Sequence, residues 1–134
     1  MLVDSSFARA YVGVAECHQS LANYGYEPYD VSLSTVKSSL ERAIDLDPNL
    51  PEAHAVLSEM FFNMDDMPGM EAEARRALEL NPSLPQPYSM LSELAAINGD
   101  PEEMVRQTET AYRLDPIMPR LIYSLGTALL ASKS

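Results

Sequence analysis

The residues that could carry out chemistry are few. The chain has one cysteine, Cys17, and two histidines, His18 and His54. Cys17 and His18 are adjacent in a segment that we predict to be helical, so their side chains point about 100° apart and cannot act together as a nucleophile and its base. We therefore expect all three residues to pack between helices, and we predict that the chain is not an enzyme.

Paired carboxylates occur at Asp65-Asp66 and at Glu102-Glu103. Both pairs fall at predicted turns or helix starts, where negative charge interacts favourably with a helix N-terminus. A zinc site would need carboxylates in addition to the two histidines, which lie on different predicted helices. The sequence also has no glycine-rich phosphate loop and no H-E-x-x-H or G-x-S-x-G motif. We therefore predict no metal site and no cofactor.

Composition and charge narrow the class of protein further. The 134 residues suit one globular domain, with 46% apolar residues and no apolar run long enough to span a bilayer. Twenty acidic residues against nine basic ones give a net charge of −11, which disfavours binding to nucleic acid and to membrane surfaces. A single cysteine and a start without the features of a secretory signal fit a cytoplasmic location, which we predict.

Prolines reveal an internal repeat that must position these residues. Pro48, Pro82 and Pro116 are 34 residues apart, and a second proline follows each of them three residues later. A helix ends before the first proline of each pair, because the ring disfavours helical geometry in the preceding residue. The second proline suits the first turn of the next helix. The period therefore predicts a helix corner every 34 residues.

A second break divides each period into two helices of about 13 residues. The breaks are at 63–69 and at Asn98-Gly99-Asp100-Pro101, which supplies a helix stop, an N-cap and a proline for the first helical turn. Alanine recurs at Ala43, Ala77 and Ala111, where we expect two helices to come close.

This pattern resembles the tetratricopeptide repeat, a 34-residue helix–turn–helix unit. The residues that match its signature are Tyr11, Tyr88, Val14, Leu57, Leu91, Leu125, Ala15, Ser58, Ser92, Gly126, the three alanines and the three closing prolines. His54 and Ile122 depart from it, since the signature has an aromatic residue there. The resemblance implies an all-α, right-handed solenoid of about seven helices. It has unit one at 7–48, unit two at 51–82, unit three at 85–116 and a C-terminal capping helix at 119–132. Val36, Met70 and Met104 depart from the pattern, which has alanine there.

Unit one contains extra residues near 21–30. This segment is rich in tyrosine and predicts an extended helix end followed by an ordered loop. Its tyrosines could pack on the solenoid or face a partner, and packing is the expected arrangement because tyrosine rings tend to bury their bodies.

A looser resemblance concerns the run 10–15, the tyrosine-containing loop and the run 43–54. These are similar to tetratricopeptide regions attached to bacterial winged-helix transcription regulators and nucleotide cyclases. That similarity implies a sensory or regulatory segment of a larger protein as an alternative function.

In the tetratricopeptide family the first helix of each unit lines a concave groove, which usually holds an extended peptide or a partner helix. Transferred to this chain, the resemblance places the following residues on the groove: Val12, Glu16, Gln19, Glu52, Ala55, Glu59, Phe62, Asn63, Gln86, Ser89, Glu93, Ala96, Ile97, Arg120, Tyr123 and Thr127. It thereby predicts a protein-interaction module with a scaffolding or regulatory role.

The charges of this groove indicate the partner. Chaperone-binding members of the family hold a C-terminal carboxylate with lysine and asparagine, whereas here Ala55 and Ser89 replace lysine and Glu59 and Glu93 replace asparagine. With Glu16, the two glutamates form an acidic row. The alternatives are that these glutamates only keep the groove soluble, or that they attract a basic or amphipathic segment.

The last predicted helix, 119–131, is apolar around most of its circumference. A helix that only caps a solenoid has a polar outer face, so this one is expected to pack on more chain or on a second copy. We predict a weak homodimer with contacts at Leu121 and Leu130.

Overall fold

The computed structural model describes residues 5–116. They form six helices: α1 (Ser5–Asn23), α2 (Tyr29–Leu46), α3 (Pro51–Asn63), α4 (Met67–Leu80), α5 (Pro85–Ile97) and α6 (Pro101–Leu114). No strand occurs in this range, and the all-α prediction is confirmed. The predicted capping helix at 119–132 lies outside the described residues, and so do Arg120, Leu121, Tyr123, Thr127 and Leu130.

The six helices pair into three hairpins, α1 with α2, α3 with α4 and α5 with α6. Successive hairpins stack, because α3 packs on α1 and α2 and α5 packs on α3 and α4. The buried apolar side chains lie within and between the hairpins, and the largest cluster joins α1 and α2 to α3. The first helices α1, α3 and α5 therefore follow one another along one side of the stack.

Local sequence explains where the helices begin and end. Pro51 and Pro85 occupy the first turns of α3 and α5, where a missing N–H leaves no hydrogen bond unmade. The side chains of Asp66 and Asp100 cap α4 and α6 by accepting from backbone N–H groups three residues on, at 3.0 and 3.1 Å. Of the carboxylate pair at 65–66, only Asp66 caps the helix. Asp65 lies before it in a left-handed conformation, with φ of 63°.

Small side chains set the spacing between paired helices. Ala43, Ala77 and Ala111 are completely buried, as the repeat pattern predicts for close approach. The bulky Met104 is also buried, and Ser92 on the facing helix donates a hydrogen bond to its carbonyl oxygen at 3.2 Å. Larger side chains at these departures from the repeat signature, which include the buried Val36 and Met70, are thus accommodated in the core.

Unit one differs from the others in the way its extra residues fold. They lengthen both helices and leave a short turn at 24–28, so the expected loop is smaller than the stretch 21–30. The prediction that the tyrosines pack on the solenoid is wrong for Tyr24 and Tyr26, which are 76% and 82% exposed, whereas Tyr29 is 42% exposed and lies beside residues of α1 and α3. The turn is tight at Gly25, with φ of 78°, and a contact of 3.1 Å between His18 Nδ1 and Glu27 ties it to α1. The two rings therefore project from the tip of the turn.

None of the six described helices has both the length and the apolar composition that a membrane span requires.

Truncation of Met70 tests the packing of the core. Met70 lies on α4 and is completely buried against the neighbouring helices. Met70→Ala should therefore lower the free energy of unfolding by about 2–5 kcal/mol, because burial is lost and a cavity is left behind. Urea unfolding followed by circular dichroism measures the change. Met64→Ala is the matched control: this side chain is exposed, and its loss should cost less than about 1 kcal/mol. Equal losses in both variants would contradict the packing described here.

Candidate functional site

The candidate site is the surface formed by α1, α3 and α5. These three helices carry Glu16, Glu59 and Glu93 at the same position of successive units. Glu16 is exposed, whereas Glu59 and Glu93 are half-buried. The carboxylates lie on helices that contact one another in sequence, α1 with α3 and α3 with α5.

Two amides connect α3, which carries the central carboxylate, to both neighbouring first helices. Gln86 on α5 donates from Nε2 to Glu59 Oε2 at 2.7 Å. Gln19 on α1 satisfies both of its polar atoms when its nitrogen donates to the same Oε2 and its oxygen accepts from the Met60 N–H, each at 3.2 Å. In the opposite orientation its nitrogen donates to the Val56 carbonyl at 3.3 Å. Either way the polar contacts run across all three helices.

The carboxylates of α1 and α3 are close enough to affect one another. Neighbouring groups desolvate the carboxyl of Glu16, and this is the main cause that raises its pKa. Repulsion from Glu59 and then from Glu52 raises that pKa further. In addition, Glu52 Oε2 is buried and has no hydrogen-bond partner among the described residues. The site thus concentrates negative charge that residues 5–116 do not fully neutralise.

Apolar surface lies beside these acids. Ile97, at the end of α5, is more than half exposed, and Ala96 next to it is exposed as well. Phe62 and Asn63, at the end of α3, are half-buried. A segment lying on this surface would meet carboxylates along the helices and apolar groups at the helix ends.

Four of the residues placed on the groove by the resemblance are buried instead. Val12, Ala55 and Ser89 occupy one repeat position, and all three are covered by neighbouring helices. Gln19 is also buried and is engaged in the contacts described above. These positions join adjacent helices and are not accessible to a ligand. The accessible candidates in the described range are Glu16, Glu52, Glu59, Phe62, Asn63, Gln86, Glu93, Ala96 and Ile97.

Cys17 and His18, two of the residues that could carry out chemistry, lie apart from this surface. Cys17 is exposed, so the prediction that it packs between helices is wrong. The reason is that it lies on the outer face of α1, where no described helix covers it. His18 binds Glu27 in the α1–α2 turn. Within residues 5–116 no cluster of histidine, cysteine and carboxylate side chains is suited to a metal ion.

His54 is a buried structural residue whose polar contacts the sequence did not reveal. Its Nδ1 lies 2.7 Å from Glu73 Oε2, and its Nε2 lies 2.8 Å from the Pro48 carbonyl oxygen. One repeat later Tyr88 Oη donates to the Pro82 carbonyl at 2.7 Å. The two residues therefore make the same link to the preceding corner. The only feature of the sequence that pointed to these contacts is the histidine at position 54, where the repeat signature has an aromatic residue.

Because both nitrogens of His54 face acceptors, the doubly protonated ring satisfies both contacts. The hydrogen bond to Glu73 is the main cause that raises the pKa of His54. Burial opposes this effect, and the Pro48 carbonyl reinforces it.

Solved structures of other proteins share this fold of stacked helical hairpins. The first tetratricopeptide domain of Spaghetti (RPAP3) bound to an HSP90 peptide superposes with a TM-score of 0.70 over 98% of both chains, at 20% identity. The fold is that of the tetratricopeptide repeat. A thermophilic tetratricopeptide protein of Thermus thermophilus, TTC0263, matches with a TM-score of 0.72 and 23% identity. The match covers 92% of this chain and 64% of the Thermus protein's chain.

The O-GlcNAc transferase of Thermobaculum terrenum matches with a TM-score of 0.76 and 19% identity. The match covers 96% of this chain but 23% of the transferase. No family model matches the sequence, and no curated protein sequence matches it either. The predicted right-handed solenoid of tetratricopeptide units is confirmed by the structural matches.

The pH dependence of His54 tests its buried ion pair. Its folded pKa lies above the unfolded value of about 6.5, so its stabilising contribution is complete below that pH and is lost as the pH rises through the folded pKa. NMR titration of the ring should show that Glu73→Gln lowers the pKa of His54. In the control Glu71→Gln, which changes an exposed acid of the same helix that pairs with Arg75, that pKa should not move. An unchanged pKa in Glu73→Gln would contradict the contact.

Proposed function

We propose that this tetratricopeptide domain binds a basic, amphipathic segment of a partner protein on the surface formed by α1, α3 and α5. The observation that carries the proposal is the convergence of Glu16, Glu52 and Glu59. Desolvation is the main cause that raises the pKa of Glu16, and repulsion from Glu59 and Glu52 raises it further. Lysine or arginine side chains placed among these carboxylates would replace repulsion with attraction. The domain would then act as a scaffolding or regulatory module.

The charges distinguish this surface from one that binds an acidic peptide. The Spaghetti (RPAP3) domain is bound to the HSP90 peptide SRMEEVD, which is rich in acidic residues. Here the two positions where the family's carboxylate-binding members have lysine carry Ala55 and Ser89, which are neutral and buried. The accessible neighbouring residues are Glu59 and Glu93. An acidic peptide would therefore meet like charge on this surface.

Apolar groups favour an amphipathic segment over a purely basic one. Exposed Ile97 and half-buried Phe62 lie at the same ends of α5 and α3, beside the acidic row. A helix or extended chain that presents apolar residues on one side and basic residues on the other could contact both features. Electrostatic attraction would speed association, and apolar burial would slow dissociation.

Charge reversal tests the proposal with a defined probe. A fluorescein-labelled amphipathic peptide of leucine and lysine should bind the wild-type domain, and the same peptide with glutamate in place of lysine should not. The double variant Glu16→Lys with Glu93→Lys should weaken binding of the lysine peptide at least about tenfold by removing the attraction. Fluorescence anisotropy at low salt measures the affinity, which should also fall as salt is added.

The control is Glu41→Lys with Glu102→Lys. Both glutamates are exposed on the second helices α2 and α6, so the net charge changes equally while the proposed surface stays intact. This control should retain most of the affinity. Equal losses in the two double variants would show that only net charge matters, and tight binding of the glutamate peptide would contradict the proposed partner chemistry.

A further inference from the structure

The C-terminal half of α1 and the turn that follows it border a shallow depression of about 460 Å³. Leu21, Tyr24 and Tyr26 give it apolar and aromatic walls, and Gly13 lines it without filling it. A Cβ atom added at Gly13 would meet nothing within 4 Å, so this part of the depression is open among the described residues. Glu16 is the single charged residue of the lining, and no described lysine or arginine belongs to it.

The depression continues the acidic surface beyond α1. Glu16 belongs to both, since it is the α1 member of the acidic row and also lines the depression. Ser20 lines the depression as well, and it holds the repeat position that Asn63 and Ile97 hold at the ends of α3 and α5. A segment that crosses α5, then α3, then α1 therefore reaches the depression after it passes Glu16.

Among the three described units only the first has this feature, because its first helix is longer. α3 and α5 end at the position equivalent to Ser20, whereas α1 continues to Asn23. The turn beyond it is fixed by a backbone hydrogen bond of 2.8 Å, which the Tyr26 N–H donates to the Leu21 carbonyl oxygen. A fixed backbone beneath the exposed rings lowers the entropy that would be lost when a ligand binds to them.

The lining has the three partners that an arginine side chain uses. A guanidinium group stacks on aromatic rings and bonds to a carboxylate, and its methylene stem covers apolar surface. The depression offers the rings of Tyr24 and Tyr26, the carboxylate of Glu16 and the side chain of Leu21. Both rings are exposed, and the acids of α3 repel the Glu16 carboxylate, which has no described cation paired to it.

We propose that this depression holds an arginine side chain of the partner segment, just beyond the part that lies on α1, α3 and α5. The inference rests on the proposed function, because the same basic, amphipathic segment supplies the arginine. It adds a direction, since the arginine end of the segment lies at α1. Lysine binds less well there, because its ammonium group is more strongly hydrated and cannot stack as a plane.

Peptides with an added arginine test the inference. The probes are the leucine–lysine peptide extended by arginine at its N-terminus or at its C-terminus, and the same two peptides with citrulline, which is neutral but has nearly the same shape. All have blocked ends and a fluorescein label at a central residue, and fluorescence anisotropy measures their affinities.

Arginine at one end should bind in the depression, whereas arginine at the other end should gain only from long-range attraction. The first arginine should therefore raise the affinity over its citrulline match by about three- to tenfold more than the second does. The second peptide pair thus measures the effect of the added charge alone.

Replacement of the aromatic rings should abolish this difference between the two ends. In the double variant Tyr24→Leu with Tyr26→Leu the walls stay apolar but lose their aromatic faces, so the two arginines should give equal gains. The control Tyr112→Leu changes a tyrosine of α6 that is 41% exposed, and it should keep the difference. Circular dichroism of each variant shows that the helices remain folded.

The outcomes separate this inference from the proposed function. If the citrulline peptides bind but arginine gives equal gains at both ends of the wild-type complex, the inference is overturned and the proposed function is not. A difference that survives the loss of both rings would also overturn the inference. If none of the four peptides binds, the proposed function fails and the inference fails with it.

Discussion

The structure depends on the need of each helical hairpin to cover its apolar face with the next one. A hairpin of two short helices cannot bury enough apolar surface alone, so each stacks on its neighbour and the first helices align. The completely buried Ala43, Ala77 and Ala111 allow the paired helices to approach closely. Where a neighbour is absent among the described residues, as on the outer face of α1, the same apolar positions lie open to solvent.

Alignment of the first helices has an electrostatic consequence. Because Glu16 and Glu59 occupy equivalent positions in successive units, stacking brings their carboxylates together whatever their mutual repulsion. Gln86 offsets part of this by donating to Glu59, and Gln19 lies on its other side. The remaining repulsion disfavours an empty site and favours one that contains cations. Under the proposed function, a basic partner would relieve this repulsion on binding.

Much of the fold could be predicted because proline spacing determines where helices start, as Pro51 and Pro85 show for α3 and α5. Accessibility was harder to predict. A repeat register gives the direction of a side chain but not the approach of its neighbours, which bury Ala55 and Ser89. It also says nothing about which face lacks a neighbour, so the exposure of Cys17 was missed. The capping helix, the cytoplasmic location and the resemblance to regulator and cyclase segments stay predictions.

The central claim is that stacking creates one acidic surface along α1, α3 and α5 that recognises a basic amphipathic segment. NMR chemical-shift mapping with the leucine–lysine peptide tests it most directly. The account predicts that the largest shifts fall on the accessible residues of those helices, such as Glu16, Glu93 and Ile97, and that resonances of α2, α4 and α6 move little. Shifts concentrated on the second helices, or spread evenly over the chain, would contradict it.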